Sequence, residues 1–565
     1  MKKLAFFFTF LLGFSAWAFC QDEEILALSG AESLEEIDET TLENLHDLLS
    51  HPINLNTAPL SRLLSCGILT RFQAISIDEY RRSSGDILSL SELSLMEGFN
   101  PETARNLAPF ISLESSMKAG GKRERRIRTE CQMRLQAKSG SEGYALKVRS
   151  SKDDRWSLAL TTRSNDLSSN FFPQTWSLSA CAGLPSGKGK IIIGDYNARF
   201  GQGLSLWSGF TMSGISSPDA AAKHPTGISP AWSLSPEGPV RGAAAELSIG
   251  RWTFSGGAIF PGLRSRMEGG SSPIGGLSFL NASLLKRSSE LSLTAIAGLS
   301  DLSDRSRTPN TKVSASFRWT PGKVEYFAEG AFDIVNKAPG AVAGIIWSPE
   351  YGKKAALLLR HYGSSFDPTL TGGIRIASKC RGESGLSAAL ALKHLEINAD
   401  ASRLHLQGEY RAKLTVKTPL QAGPWKIEPR LAAKLSGKSL RHEYRLSASF
   451  EASPWEARIR ADAVRCRSTA LLAYAEGGFK KEGLKLYLRA GAFMINNWDD
   501  RIYVYERDAP GVFNVPAYYG RGATGSIIAS LKWRRHALFL RGAAVLYQGG
   551  KEPKWELRLQ YMLNL

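Results

Sequence analysis

From about Ile127 to Leu565 the chain alternates apolar and polar side chains with a period of two, in segments of about ten residues. Trp455, Ala457, Ile459, Ala461 and Ala463 alternate with Glu456, Arg458, Arg460 and Asp462. Leu484, Leu486 and Leu488 alternate with Lys485, Tyr487 and Arg489, and Val313, Ala315, Phe317 and Trp319 with Lys312, Ser314, Ser316 and Arg318. A period of two puts successive side chains on opposite faces of a strand, so each strand has one apolar and one polar face. A soluble sandwich or propeller shares that pattern. Three further features favour a membrane barrel. About ten residues is the length a tilted strand needs to cross a bilayer. The strands follow one another with almost no helix and no propeller repeat. Tryptophans such as Trp455, Trp533 and Trp555 sit near strand ends, where interfacial girdles belong. The expected fold is mainly β: a large transmembrane antiparallel β-barrel over 127–565, of about 22 to 24 strands, preceded by a small all-α domain. The final strand keeps the same register and ends in an outward apolar residue, Leu565.

The front of the chain differs in kind. Lys2 and Lys3, the apolar run Leu4 to Phe14 and Ala16-Trp17-Ala18 have the three parts of a secretory signal over residues 1–20. Cys20 offers a lipoprotein alternative, although Phe19 beside it is bulkier than the usual small residue. From Gln21 to Ser115 there are five Arg and Lys against seventeen Asp and Glu, a balance of −12, while the rest of the exported chain carries 64 against 36, or +28. An acidic helical region over 21–113, a polar linker over 114–126 and a basic body are thus separate units. Leu42, Leu45, Leu48 and Leu49 recur at helical spacing, and Pro52 ends that helix. The cysteines are isolated, with no Cys-x-x-Cys, so neither a disulfide framework nor a zinc site is expected.

Between Ile53 and Ile111 one unit occurs twice: a short helix, a glycine turn and a second helix. The turns centre on Gly67 and Gly98, and Pro101 favours a helix start after the second. With NLNTA just before the first copy, this stretch resembles the helix-hairpin-helix pair of the competence protein ComEA. That resemblance implies DNA binding, with turn and helix-start N–H groups gripping a phosphate. The positions carried over are Gly67, Ile68 and Arg71 in the first hairpin and Gly98, Phe99 and Arg105 in the second. Arg81 and Arg82 complete the local cations. Each turn lacks the usual second glycine, and Glu97 brings a negative charge to the second. An acidic surround also repels a duplex, because non-specific affinity comes from cations releasing counterions. The competing reading is a helical module for protein contact or for closing a barrel end.

Three more segments stand out. GDYNARFGQGLSLWSG, Gly194 to Gly209, opens a connection too long for a hairpin, and such loops tend to be functional or to fold inward. Gly201 and Gly203 there are read as a bend in the barrel. With RIYVYE from Arg501 and PAYYGRG from Pro516, the segment resembles a group of outer-membrane barrel proteins carrying an N-terminal ComEA-like module. That resemblance implies a barrel in outer-membrane lipid with its helical domain in the periplasm.

The polar positions of the strands, which face the lumen, include Lys312, Arg318, Arg445, Arg458, Arg460, Lys485, Arg489 and Arg558. A low-dielectric wall lined by one sign of charge draws anions. Pairing with lumenal acids such as Glu456, Asp462 and Glu556 competes with that reading. No His-Glu-x-x-His, nucleophile elbow or P-loop is present, so no enzyme, cofactor or metal is expected. The first functional expectation is a barrel that binds or passes DNA or another anionic polymer. The second is a structural or assembly barrel whose acidic module plugs the pore or recruits a periplasmic protein. A barrel hydrolase is a third class with no residue pointing to it.

Overall fold

The computed structural model describes residues 21–29, 37, 39–115 and 127–565, apart from stretches at 153–154, 168–171, 185–187, 210, 212–213, 233–237, 261–275, 287, 299–310, 351, 378 and 550–551. The signal at 1–20 and most of the 114–126 linker therefore lie outside the described residues. Antiparallel strands succeed one another from Arg128–Lys138 to Lys554–Asn564. The last strand pairs with the first, Gln560 opposite Arg134, closing a 24-strand barrel. Gly227–Pro230 and Leu420–Ala422 lie alongside existing strands without adding to the ring. The count agrees with the expected 22 to 24, and closure removes every sheet edge.

The alternation sets the faces. Leu431, Leu446, Ile459 and Leu488 point outward and are exposed, while their neighbours Arg430, Arg445, Arg460 and Arg489 point in. A one-residue slip would exchange these faces along a whole strand, so the pattern fixes the register. The two rims differ. At the rim holding residues 127 and 565 the connections are two to seven residues long, and at the other they reach forty, in 200–239. Trp252, Trp319, Trp425, Trp455 and Trp533 all stand exposed at the short-turn rim, forming one aromatic girdle.

The helical domain comprises α1 (Gln21–Ser29), α2 (Glu39–Ser50), α3 (Leu60–Ser65), α4 (Arg71–Ser83), α5 (Leu90–Leu95) and α6 (Pro101–Leu107). Gly67 and Gly98 join α3 to α4 and α5 to α6 with φ of +80° and +83°, a conformation glycine adopts without penalty. Thr70 and Gln73 form a reciprocal cap on α4, Ser89 caps α5 and Asn100 caps α6 ahead of Pro101. The NLNTA string has a structural role. Asn54 Oδ1 accepts the N–H of Asn56, and the Asn56 amide clamps both backbone groups of Ile87 at 2.8 and 3.0 Å. Ile53–Asn54 then pairs in parallel with Ile111–Ser112, tying the ends of the double hairpin together. Leu42, Leu45, Leu48, Leu55, Leu63, Ile77, Leu93 and Leu107 form one buried core.

Candidate functional site: the occupied lumen

The acidic helical domain packs against inward-facing residues of the barrel. Arg149, on the inner face of Ser141–Lys152, reaches both carboxylate oxygens of Asp47 on α2 at 2.9 and 3.0 Å. Its guanidinium also lies 4.0 Å over the ring of Trp232. His51, one turn beyond Asp47, stands 3.4 Å from Asp47 and 3.2 Å from Glu130 on the inner wall. Burial raises the cost of charging Asp47, but Arg149 and His51 outweigh it and hold the carboxyl well below its usual range. Burial likewise opposes charge on His51, yet the bond to Asp47 and the field of Glu130 leave it raised. Asp47, His51 and Glu130 are close enough to share an ion. The guanidinium already on Asp47 makes them an ion-pair latch instead.

Two long loops from the other rim meet the domain inside. Helix α3 lies against Gly227–Pro230, and a Cβ on Gly67 would stand 3.8 Å from Thr226. Tyr505, Phe513 and Val515 join the helical core. The loop bearing these residues, 496–519, runs as a strap across the inner wall. Arg441 donates to the carbonyl of Arg501, Arg460 to that of Tyr503 and Arg489 to that of Tyr505, at 2.8 to 3.1 Å. Further round, Arg541 pairs with Glu506, Arg558 with Asp508, and Arg134 donates to the carbonyl of Gly511. From Arg501 to Gly511 the strap advances ten residues over seven strand-to-strand steps. At about 3.3 Å per extended residue that is about 4.7 Å per step, close to the ~4.8 Å between neighbouring strands.

The 200–239 and 363–382 loops bind each other. Gly372 donates to Gly203, Trp207 to Leu370 and Gly214 to Arg375, at 2.7 to 2.8 Å. Glu329, buried on the wall, accepts the N–H groups of Gln202 and Leu204 at 2.5 and 3.2 Å. Gly201 (φ +57°) is therefore not a bend in the barrel: a Cβ there would sit 2.7 Å from the Glu329 carboxylate, and one at Gly203 3.2 Å from Gly372. The glycines serve close approach of a loop to the wall and to a second loop.

The predicted basic residues point inward, but they do not line an open charged channel. Lys312 Nζ donates to the loop carbonyls of Asp367 and Thr369 at 2.9 and 2.7 Å. Arg318 meets Glu325 and the carbonyl of Lys223, and His224 beside it is pushed down to about 4 by burial and by that guanidinium. Arg445 and Arg460 share Asp462, Arg489 pairs with Glu476, and Arg558 with Asp508 and Glu556. Arg458 and Lys485 are half-buried. Neighbouring strands supply Glu325, Asp462, Glu476 and Glu556, and the in-folded loops add Asp508 and the backbone carbonyls.

A cavity of about 880 Å³ remains between the domain and one side of the wall. The domain contributes Ser29, Ile37 and Thr41. Among the described residues, the surrounding loops and wall contribute nine cationic side chains and three carboxylates (Glu443, Asp462, Asp499). Among the wall cations, Lys434 and Arg441 hold Glu443 at 2.8 Å, and Arg430 lies 3.5 Å away. Lys413 stands directly across from Lys434. Of the expected lumenal cations only Arg445 lines this cavity, beside the expected acid Asp462. Lys413, Arg430, Lys434 and Arg441 were missed, although all four occupy inward positions of alternating strands.

The hairpin residues are placed differently from a phosphate grip. A Cβ on Gly98 would meet the Phe72 ring at 2.7 Å, and its carbonyl accepts from Gln73. Ile68 and Phe99 pack on the helical core. Arg81 donates to the carbonyls of Leu55 and Ala58 and pairs with Asp78, and Arg82 also reaches Asp78. Arg71 opens α4 and Arg105 is exposed on α6.

No family model and no curated protein matches the chain. Solved structures with similar strand arrangements include the P pilus usher (PapC) translocation pore, at 10% identity and a TM-score of 0.38, covering 78% of this chain and 99% of that one. The outer membrane protein opdK from Pseudomonas aeruginosa gives 7% identity and 0.32, covering 78% and 99%. OccK10 (OpdN) from the same organism gives 9% and 0.31, covering 78% and 98%. These likenesses are distant, and function rests on the residues of this chain.

Proposed function

We propose that the protein is an outer-membrane barrel closed by its own N-terminal helical domain, and that it admits an anionic solute or polymer when that plug moves. An exposed apolar outer face, an aromatic girdle and the contrast of short turns with long loops support membrane insertion. By the same asymmetry the short-turn rim faces the periplasm. The observation that carries the plug reading is the Asp47–Arg149 contact between α2 and the inner wall. An acidic domain within a basic barrel also gives the two units a mutual attraction, whatever the plug's own ligand. The basic cavity beside the plug supports anions as the transported class, since walls of low dielectric focus its field.

DNA, favoured by the resemblance to ComEA, fits as an anionic polymer handled by the lumen. For the first hairpin to grip it, the domain would have to leave the barrel, because Gly67 faces Thr226 of the inner loop; Gly98 packs on Phe72 of the domain itself, in or out of the barrel. A second reading, recruitment of a periplasmic protein, draws on Leu88 and Leu95, which the helical domain leaves exposed. Reversal potentials of a plug-deleted barrel in asymmetric salt test the proposal. Anion preference is expected, falling when Lys413, Arg430 and Lys434 are changed to Gln. A cation-selective or unselective pore unaffected by those changes contradicts it.

A further inference from the structure

The outer face is apolar through its middle but changes at the long-loop rim. On Lys353–Tyr362, Glu383–Leu392 and Leu395–Leu404, the outward positions nearest that rim are His361, Ser384 and Arg403, aligned in one row across the sheet. His405, two residues past Arg403, falls on the same side. Ser384 Oγ joins the two imidazoles, at 2.7 Å from His361 Nδ1 and 2.8 Å from His405 Nε2, with ring centres 5.9 Å apart. The Arg403 guanidinium lies 5.9 Å over the exposed ring of Tyr410. Further round the same rim His442 and Arg465 are directly paired outward positions, and Arg521 is another.

Between the strand ending at Tyr362 and that beginning at Gly520, the two outward positions nearest the rim on each strand include no carboxylate. The inner wall is the opposite, with arginine after arginine matched to an acid or a carbonyl. Cations bordering hydrocarbon need a counter-charge. At this height the surroundings supply lipid headgroups, and attraction to anionic lipid is worth about fivefold in affinity per cation.

We infer that this rim binds the phosphate groups of membrane lipids, with His361, Arg403 and His405 forming the cradle. Ser384 is a positioning residue. Its hydroxyl donates to one imidazole and accepts an N–H from the other, so the outer nitrogen of the first ring carries an N–H for a phosphate oxygen beside the Arg403 guanidinium, while Tyr410 offers a ring to the lipid below. The inference rests on the reading of the chain as a membrane barrel.

The full-length protein reconstituted in phosphatidylcholine vesicles, with or without phosphatidic acid, provides the test. After detergent extraction, the lipid retained is counted by native mass spectrometry. Wild type should keep phosphatidic acid at least ~10-fold better than H361A/R403A/H405A. A control triple at the opposite rim, R251A/K286A/K481A, should match wild type. Heat-modified gel migration verifies that each variant is a folded barrel. Equal retention by the cradle variant and wild type overturns the inference. So does binding of inorganic phosphate in lipid-free detergent as strong as that of phosphatidic acid. If wild type does not enter the vesicles at all, the membrane reading itself fails, an outcome distinct from insertion without retention.

Discussion

Asp47→Asn isolates the contact that holds the helical domain to the wall. The Asp47 and Arg149 side chains are each 13% exposed, and the guanidinium is also fixed over Trp232. The substitution removes the carboxylate that both Arg149 and His51 face. Removing one partner of a buried pair costs roughly 3–5 kcal/mol. With both groups partly open to water the lower end applies, about 3 kcal/mol, which multiplies the undocked population by roughly 100-fold. Amide hydrogen exchange in membrane-embedded protein reads this population directly, because α2 exchanges when the domain leaves the wall. Exchange of the amides around Leu45 and Leu48 should accelerate by about that factor, with strand amides at Leu446 and Ile459 unchanged as an internal reference. Arg149→Gln should give a comparable acceleration, and the double variant much less than the product of the two. Unchanged α2 protection in both single variants would refute the docking geometry, and acceleration shared by the strands would mean that the barrel itself had weakened.

Docking should also depend on pH through His51. Its docked pKa is raised, so its contribution is complete below its ordinary value near 6.5 and is lost as pH rises through the raised value. α2 exchange, corrected for intrinsic rates, should therefore speed up on alkalinisation, and His51→Gln should abolish that dependence. Asp47 acts at the other end: its pKa is depressed, so its share is lost only at strongly acid pH. Gly201→Ala forces a left-handed φ on alanine and a Cβ onto the Glu329 carboxylate. It should cost roughly 1–3 kcal/mol and lower the temperature at which the barrel loses its compact gel mobility. Shortening the strap between Arg501 and Gly511 should unmask Arg441, Arg489, Arg541 and Arg558 and increase anion conductance in a plug-deleted barrel. An unchanged conductance would mean that the strap does not narrow the passage.

The fold was legible where one local rule governs many residues. Alternation in segments such as Trp455–Ala463 sets faces and register together, and the strand number follows from chain length. The glycine turns at 67 and 98 and the caps at Thr70 and Asn100 are likewise local chemistry. What the lumen contains was not legible, because it depends on contacts between residues far apart in sequence. Arg558 reads as a lumenal cation until Asp508, fifty residues earlier, is folded against it. Gly201 reads as a strand bend until Glu329 appears beside its Cα. Lys413, Arg430 and Lys434 obeyed the alternation as clearly as Arg445, and only the position of the helical domain distinguishes them as cavity residues. The charge imbalance between the two parts did carry non-local information: −12 against +28 anticipates an acidic domain docked in a basic barrel.

The conductance of the barrel with and without residues 21–115, measured in planar bilayers, tests the central claim most directly. Full-length protein should insert and remain almost silent, and the deleted form should conduct with anion preference. Restoring the helical domain while changing Arg149 to Gln should give intermittent opening. Equal conductance of the full-length and deleted proteins, both folded and inserted, would contradict a plug in the lumen.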